Sequence, residues 1–322
     1  MGGRRIVVVG FDGIELVDVA SVTTAFDYAN RMGADPVYDV VFATPCGKPV
    51  RCDSGLELAG QRPIDGLTGP IDTVVVSGGH GHEAAAADPR FVGQVQRLAA
   101  VSRRIASACT GATVLAAAGL LDNRRATTHW HEAAHLAARF PRVRVDPTPI
   151  FVRDGAVATS GGITASLDLT LSFIEEDHGA EIARRVALAM VTYLQRPGSQ
   201  AQISLFTRIP HSDNVLVRRV IDHVISNLDG DLGVGRLAAF AGVSERHLNR
   251  LFVQHVGRTP ARLVRDARLE AASQLLSGTR EPVATIARRC GFGSAESLRQ
   301  AFVAWVGISP SRFRGNARTT TS

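Results

Sequence analysis

Residues 201–322 contain no lysine: 17 arginines stand there against 9 acidic residues, a balance of +8. Residues 1–200 hold 19 basic and 21 acidic residues, a balance of −2. The chain has no apolar run long enough to span a bilayer, so no membrane partner is expected. It also lacks a charged-then-apolar leader with a cleavage site. Arg4-Arg5 followed by Ile6 to Val9 is too short for one and reads as a first strand. Cysteine is sparse. Cys46, Cys52, Cys109 and Cys290 fall at irregular spacing, which fits neither a zinc site nor a disulfide framework. A reducing cytoplasm is the expected compartment, and neither a metal nor a cofactor is implied. The length of 322 residues suits two domains.

What is present centres on Ala241-Gly242-Val243-Ser244-Glu245-Arg246-His247-Leu248-Asn249-Arg250-Leu251-Phe252. The stretch predicts a helix, a tight turn at Gly242 and a second helix capped by Ser244. Leu248, Leu251, Phe252 and Val256 share one helical face and are expected to be buried. Arg246, His247, Asn249 and Arg250 stay outside. That arrangement describes a helix-turn-helix. Arg matches guanine and Asn matches adenine by paired hydrogen bonds in the major groove. The uneven charge points the same way, toward phosphates and a salt-dependent affinity, although a basic face can also be merely solvated.

The pattern occurs twice. Ala241-Gly242-Val243 recurs as Cys290-Gly291-Phe292, and Phe252, Gly257 and Pro260 recur as Phe302, Gly307 and Pro310. One extra residue sits in the second turn, near Gly293-Ser294. Each copy ends in Thr-Pro or Ser-Pro, a helix cap followed by a first-turn proline. Pro260 to Leu276 reads as one connecting helix with Leu263, Ala267, Ala271 and Leu275 on a face. In the second unit Leu298, Phe302 and Trp305 or Val306 are expected inside. Ser294, Glu296, Ser297, Arg299 and Gln300 form its exposed set. That set is poorer in paired donors, so it is expected to position more than it reads.

From about Asp213 to Arg314 the chain resembles the DNA-binding domain of AraC/XylS-type transcription regulators. The resemblance rests on Leu237-Ala238-x-x-Ala241-Gly242-Val243-Ser244, Phe252-x-x-x-x-Gly257-x-x-Pro260, Arg265-Asp266-Ala267-Arg268-Leu269-x-x-Ala272 and Ile286-Ala287-x-x-Cys290-Gly291-Phe292. The last continues through Phe302-x-x-x-x-Gly307-x-x-Pro310-x-x-Phe313-Arg314. The resemblance implies two helix-turn-helix units entering successive major grooves of double-stranded promoter DNA, and a homodimer.

Upstream, short β-branched runs alternate with helical patterns. Strands are expected at Arg5 to Gly10, Tyr38 to Ala43, Thr73 to Val76, Arg104 to Ala108, Arg142 to Val145, Ile150 to Val152 and Ala156 to Thr159. Helices are expected at Val19 to Arg31, Phe91 to Ser102, after Cys109 to Gly119, Ile163 to Asp177 and Ala180 to Leu194. This predicts an α/β domain with a parallel sheet and helices on both faces. The expected organisation is an α/β domain over 1–195, a linker over 196–212, an all-α double helix-turn-helix domain over 213–316 and a disordered tail over 317–322.

Ligands of open α/β sheets bind beyond the carboxyl ends of the strands. Cys109 falls there, at a strand-to-helix turn resembling a nucleophile elbow. The following helix start is expected to favour thiolate. Gly78-Gly79 ends a neighbouring strand, and their amides are expected to face an anion or carbonyl oxygen.

Residues 4 to 194 resemble the ThiJ/PfpI (class I glutamine amidotransferase-like) superfamily, a flavodoxin-like fold. The residues that carry this are Asp12-Gly13-x-x-Leu16-x-Asp18-Val19, Ser77-Gly78-Gly79, Ala108-Cys109-Thr110-Gly111 and Ala126-Thr127-Thr128-His129-Trp130. The resemblance implies an elbow cysteine, an acid and a histidine at Cys109, Asp18 and His129. Two features depart from it. Thr110 stands where peptidase-like members have His, and Asp18 is followed by Val19-Ala20-Ser21-Val22 without the usual Gly-Pro.

Three readings of Cys109 stay open: a nucleophile, a ligand-contacting or redox thiol, or a vestigial elbow residue. Asp18 either holds the thiol by a hydrogen bond or satisfies a turn. His129 either lines the pocket or packs beside Trp130. His129, His131 and His135 raise a metal reading, against which no third acidic or sulfur ligand stands beside them. The leading expectation is a sequence-specific transcription regulator whose first half dimerises and senses an effector at Asp18, Gly78, Gly79, Cys109, Thr110 and His129. The rival is a Cys-dependent hydrolase or hydratase that also binds DNA, and a third reading is an architectural dimer module without a ligand.

Overall fold

A computed structural model of the chain describes residues 3–192 and 214–319, together with Arg196, Gly198 and Gln202. They fall into two compact units, one running to Gln202 and the other from Ile203 to Thr319.

The first unit is built on β1 (Arg4–Val9), β2 (Tyr38–Thr44), a small antiparallel pair β3 (Val50–Arg51) and β4 (Glu57–Leu58), β5 (Arg62–Pro63), β6 (Ile71–Val76) and β7 (Ser102–Ser107). A second small pair, β8 (Arg125–Ala126) and β9 (Arg144–Val145), is followed by β10 (Phe151–Asp154) and β11 (Val157–Ser160). The main sheet has seven strands in the order β10-β11-β7-β6-β1-β2-β5. Pairing is parallel except at one edge, where β10 runs antiparallel to β11. Only Gly155 and Ala156 separate those two strands, and so short a connection reverses the chain and cannot make a parallel crossover. The strand expected over Arg142 to Val145 shrinks to β9 and lies off the main sheet.

The helices are α1 (Leu16–Arg31), α2 (His82–Ala87), α3 (Pro89–Ala100), α4 (Gly111–Ala117), α5 (Ala133–Arg139), α6 (Ala165–His178) and α7 (Ala180–Ala189). Alternation along β1 divides the core between the two faces of the sheet. Ile6 and Val8 pack with Val22, Phe26, Leu169, Phe173 and Val186 of α1, α6 and α7. Val7 and Val9 pack with Phe91, Val95, Leu98, Val114 and Leu115 of α3 and α4. Both faces are covered, so Ile6 to Val9 of β1 and Val74 to Val76 of β6 are apolar residue after residue. Helix α1 begins earlier than Val19, because the Glu15 side chain caps it by accepting from Val17 N at 3.0 Å. Asp18 therefore sits inside its first turn.

Three residues of the expected linker are held against this unit. Arg196 gives its backbone N–H and its guanidinium to Asp168 at 2.7–2.9 Å. Phe151 N donates to Gly198 O. The Gln202 amide nitrogen lies 2.9 Å from Thr127 Oγ1 and 2.7 Å from Thr128 O, its Oε1 accepts from Trp130 N at 3.0 Å, and its own N–H reaches Thr148 O.

The second unit contains the helices Val215–Ser226, Val234–Ala241, Glu245–Val256, Pro260–Gly278, Val283–Arg289, Ala295–Val306 and Pro310–Thr319. Several of the boundaries follow from caps and glycines in the sequence. Ser244 Oγ accepts from His247 N, Thr259 Oγ1 from Arg262 N and Ser309 Oγ from Arg312 N. The helices Val234–Ala241, Glu245–Val256 and Ala295–Val306 stop at Gly242, Gly257 and Gly307, all in the left-handed conformation. The first helix-turn-helix buries Leu248, Phe252 and Val256; Leu251 is only half-buried. The second buries Leu298 and Phe302. Trp305 and Val306 are not inside as expected: they are 43% and 39% exposed. Phe313 and Trp305 each set an edge against the Phe302 ring, and Phe313 takes the buried position.

Candidate functional sites: a cysteine elbow and a nucleic-acid face

Strand β7 ends at Ser107 and α4 starts at Gly111, so the chain turns sharply through Cys109. Cys109 has φ +50, a conformation that a non-glycine residue holds only when its surroundings impose it. They do: Cys109 N donates to Gly161 O at 3.1 Å, and Thr128 Oγ1 donates to Cys109 O at 2.9 Å. The elbow anticipated from the sequence is there.

Its chemistry differs from the expectation. Cys109 is 8% exposed, and burial, reinforced by the nearby Asp18 carboxyl, pushes its thiol up to about 12. Desolvation therefore outweighs the helix start that was expected to favour thiolate. Asp18 is buried as well, and burial raises its carboxyl to about 8. Its Oδ2 accepts from Gly78 N at 3.2 Å.

The two glycine amides are already engaged. Gly78 N points to Asp18, and Gly79 N donates to Thr110 Oγ1 at 2.9 Å. The expectation that both amides face an incoming oxygen is overturned, because Asp18 and Thr110 occupy those directions. Glycine is required here by close approach. A Cβ on Gly78 would lie 2.5 Å from Cys109 Cβ, and one on Gly79 would lie 2.0 Å from Gly13 O.

Above the elbow lies a cavity of about 230 Å³ lined by Gly79, Cys109, Thr110 and His129 of the expected set. Asp18 and Gly78 lie behind its wall. The sequence reading missed Glu15, Asp53, His80, His82, His131, Glu132 and Ile163, which complete the lining. His80 and His82 follow directly on Ser77-Gly78-Gly79, so their place beyond a strand end was a readable signal. Asp53 arrives from the β3–β4 excursion, whose two-residue strands are too short to show a pattern in the sequence. His82 Nδ1 lies 3.0 Å from Thr113 Oγ1, and burial lowers the pKa of both His82 and His129. The cavity thus offers imidazole and carboxyl groups, a set suited to hydrogen bonding. Among the described residues no group of three His, Cys, Asp or Glu side chains is arranged for a metal ion. His131 pairs instead with Glu132 at 3.0 Å, and His135 lies 3.8 Å from Glu83.

On the second unit, Arg246 and Arg250 are exposed on the helix Glu245–Val256. Arg250 Nη2 rests 2.9 Å from His247 Nδ1, and Asn249 Nδ2 donates to Glu245 O at 3.0 Å. On the helix Ala295–Val306 the exposed polar groups are tied to one another. Ser294 and Ser297 form a reciprocal cap. Arg299 forks onto Glu296 at 2.6 and 2.7 Å, and Gln300 donates to the same carboxylate at 3.0 Å.

Residues 4–176 match the model of the DJ-1/PfpI family, and residues 237–316 match that of a helix-turn-helix domain. The HTH-type transcriptional regulator GlxA of Rhizobium meliloti is 32% identical over 300 residues, which cover 93% of this chain and 92% of that protein. The isonitrile hydratase of Pseudomonas putida is 36% identical over 145 residues, covering 44% of this chain and 60% of that protein. The crystal structure of a THiJ/PfpI family protein from Pseudomonas syringae superposes with a TM-score of 0.54 and 26% identity, over 61% of this chain and 78% of that one. The two family models thus fall one on each half of the chain, the first on the α/β unit and the second on the helical unit. The chain belongs to the DNA-binding transcription regulators that join an amino-terminal DJ-1/PfpI domain to an AraC-type helix-turn-helix domain.

Proposed function

We propose that the protein works in the cytoplasm as a homodimer on double-stranded promoter DNA, and that its Cys109 cavity receives a small-molecule effector without turning it over. The observation that carries the non-catalytic reading is the engagement of the Gly78 and Gly79 amides by Asp18 and Thr110. Acyl or nitrile chemistry at a thiol needs donors aimed at a developing oxyanion or nitrogen anion, and here those two donors are turned inward. A thiol raised to about 12 is also a poor source of nucleophile near neutral pH. The rival reading, a Cys-dependent hydrolase or hydratase, draws on the strained elbow at φ +50.

On the DNA side, Arg246 and Arg250 are the base-reading candidates, because both are exposed and, among the described residues, neither is ion-paired to a carboxylate. His247 and Asn249 flank them. Ser294, Glu296, Ser297, Arg299 and Gln300 serve orientation, since their polar atoms are mutually engaged.

The test is selection from a random duplex library across a salt series, with the full chain and with its Arg246→Ala and Arg250→Ala variants. Each variant is expected to lose about 1–3 kcal/mol of specific binding while random-sequence binding changes little. Equal losses on selected and random DNA would remove the base-reading role. A parallel screen of nitriles, esters and amides that found turnover abolished by Cys109→Ser would replace the effector reading with the enzymatic one.

A further inference from the structure

The two helix-turn-helix units are built on separate apolar clusters. The long helix Pro260–Gly278 gives Leu263, Val264 and Ala267 to the first and Leu269, Ala272 and Leu276 to the second. Arg268 stands at the changeover. Its guanidinium leaves the helix toward the loop preceding the first helix-turn-helix, where Nε donates to Leu228 O at 2.9 Å and Nη2 to Gly230 O at 2.7 Å. The same group faces the turn of the second helix-turn-helix. A Cβ on Gly291 would come within 2.6 Å of Arg268 Nε and Cζ, and within 2.2 Å of Leu228 O. Gly291 has φ +71 and closes the turn before the second recognition helix. One side chain thus touches both units at the point where their cores part.

Two rigid recognition helices engage successive major grooves together only if their phase matches the DNA repeat, about 34 Å or 10–10.5 base pairs. Binding of the second unit is then intramolecular, and its gain vanishes when the geometry forbids simultaneous contact. A shared helix fixes the distance between the units. Rotation about that helix is fixed by what crosses from one unit to the other, and a planar fork holding two carbonyls does so more rigidly than a point charge. We propose that Arg268 is a positioning residue that sets the phase between the two recognition helices, and so the spacing of the base pairs read together, without touching DNA itself. This rests on both units engaging DNA at once.

The experiment uses the full chain, a duplex selected by the wild type, and versions with one or two base pairs inserted or deleted between the two protected segments. A duplex keeping only the first segment is included. The wild type is expected to lose about tenfold or more for a one-base-pair change, since that rotates the second groove by roughly 35°. Arg268→Lys keeps the charge and loses the fork. It is expected to flatten the spacing profile to about twofold, with unchanged affinity for the single-segment duplex. Gly291→Ala, whose Cβ would strike both the Arg268 fork and Leu228 O, is expected to distort the profile as well. If Arg268→Lys melts far below the wild type, Arg268→Gln takes its place. A variant that keeps the wild-type profile, or loses affinity equally at every spacing, overturns the role for Arg268. A wild type that is itself indifferent to spacing overturns the two-groove reading and this role with it.

Discussion

Thr110 and Gly79 close on each other: the Thr110 hydroxyl accepts from Gly79 N and donates to Gly79 O, each at 2.9 Å. One side chain thus engages both backbone polar atoms of Gly79. Thr110→Val keeps the shape and removes both bonds, leaving the buried Gly79 N–H without its partner while Gly79 O keeps His82 N at 3.2 Å. The expected loss is about 1–3 kcal/mol in the first unit. Urea unfolding followed by Trp130 fluorescence, in a Trp305→Phe background, measures it. An unmoved midpoint would show that the pair contributes nothing to stability.

The Cys109 thiol, held up to about 12 by burial and by Asp18, is expected to label with iodoacetamide at least about tenfold more slowly at pH 8 than the exposed Cys46 in the same molecule. Asp18→Asn removes the charge that disfavours thiolate, so labelling of Cys109 is expected to accelerate above pH 8. Peptide-resolved mass spectrometry separates the sites. Fast labelling of Cys109 in the wild type would contradict the burial argument.

Asp18 makes stability depend on pH with a definite sign. Its carboxyl is raised from 3.8 to about 8 in the folded chain. Between those values the folded state keeps a proton that the unfolded state has released. The contribution is complete below pH 4 and is lost as pH rises toward 8, by at most about 1.4 kcal/mol per unit. Asp18→Asn is expected to flatten that slope. Parallel slopes for wild type and variant between pH 5 and pH 7.5 would refute the assignment.

Glu296 occupies the donors of Arg299 and Gln300, and they in turn hold its carboxyl down to about 2. Glu296→Ala frees a guanidinium on the helix Ala295–Val306, which is proposed to face DNA. Random-sequence affinity is expected to rise, and the slope of log K against log salt to steepen by about 0.9, one added phosphate contact. A fluorescence-anisotropy salt titration reads both. An unchanged slope would place Arg299 away from the phosphates.

The second unit was almost wholly legible in the sequence, because its signals are local. Ser244, Thr259 and Ser309 cap the helices that their positions predict, and Gly242, Gly257 and Gly307 end theirs. Trp305 was misread because the helical period alone cannot say that Phe313, from a later helix, fills the place beside Phe302. The α/β unit was legible in strand and helix order and in the elbow at Cys109. Its electrostatics were not. Whether Gly79 N is free depends on Thr110, and the thiol depends on Asp18, 91 residues earlier in the chain. No periodicity reports such pairings. Arg268 stood inside a recognised motif, yet its two acceptors are backbone carbonyls, which carry no residue identity at all.

The Gln202 side chain determines where this protein can be cut and rejoined. It sits in a nest of acceptors from Thr127, Thr128, Pro147 and Pro149, and a Cβ on Gly161 would strike it at 2.4 Å. A chimaera joined at residue 195, where composition alone suggests a seam, would strip that nest of its occupant and leave Trp130 N unanswered, one residue from the cavity wall. A junction placed after Gln202 carries the whole fastening with its own domain. Swaps of amino-terminal halves between such regulators should therefore be drawn by where the last side chain is buried, not by where the sequence first turns polar.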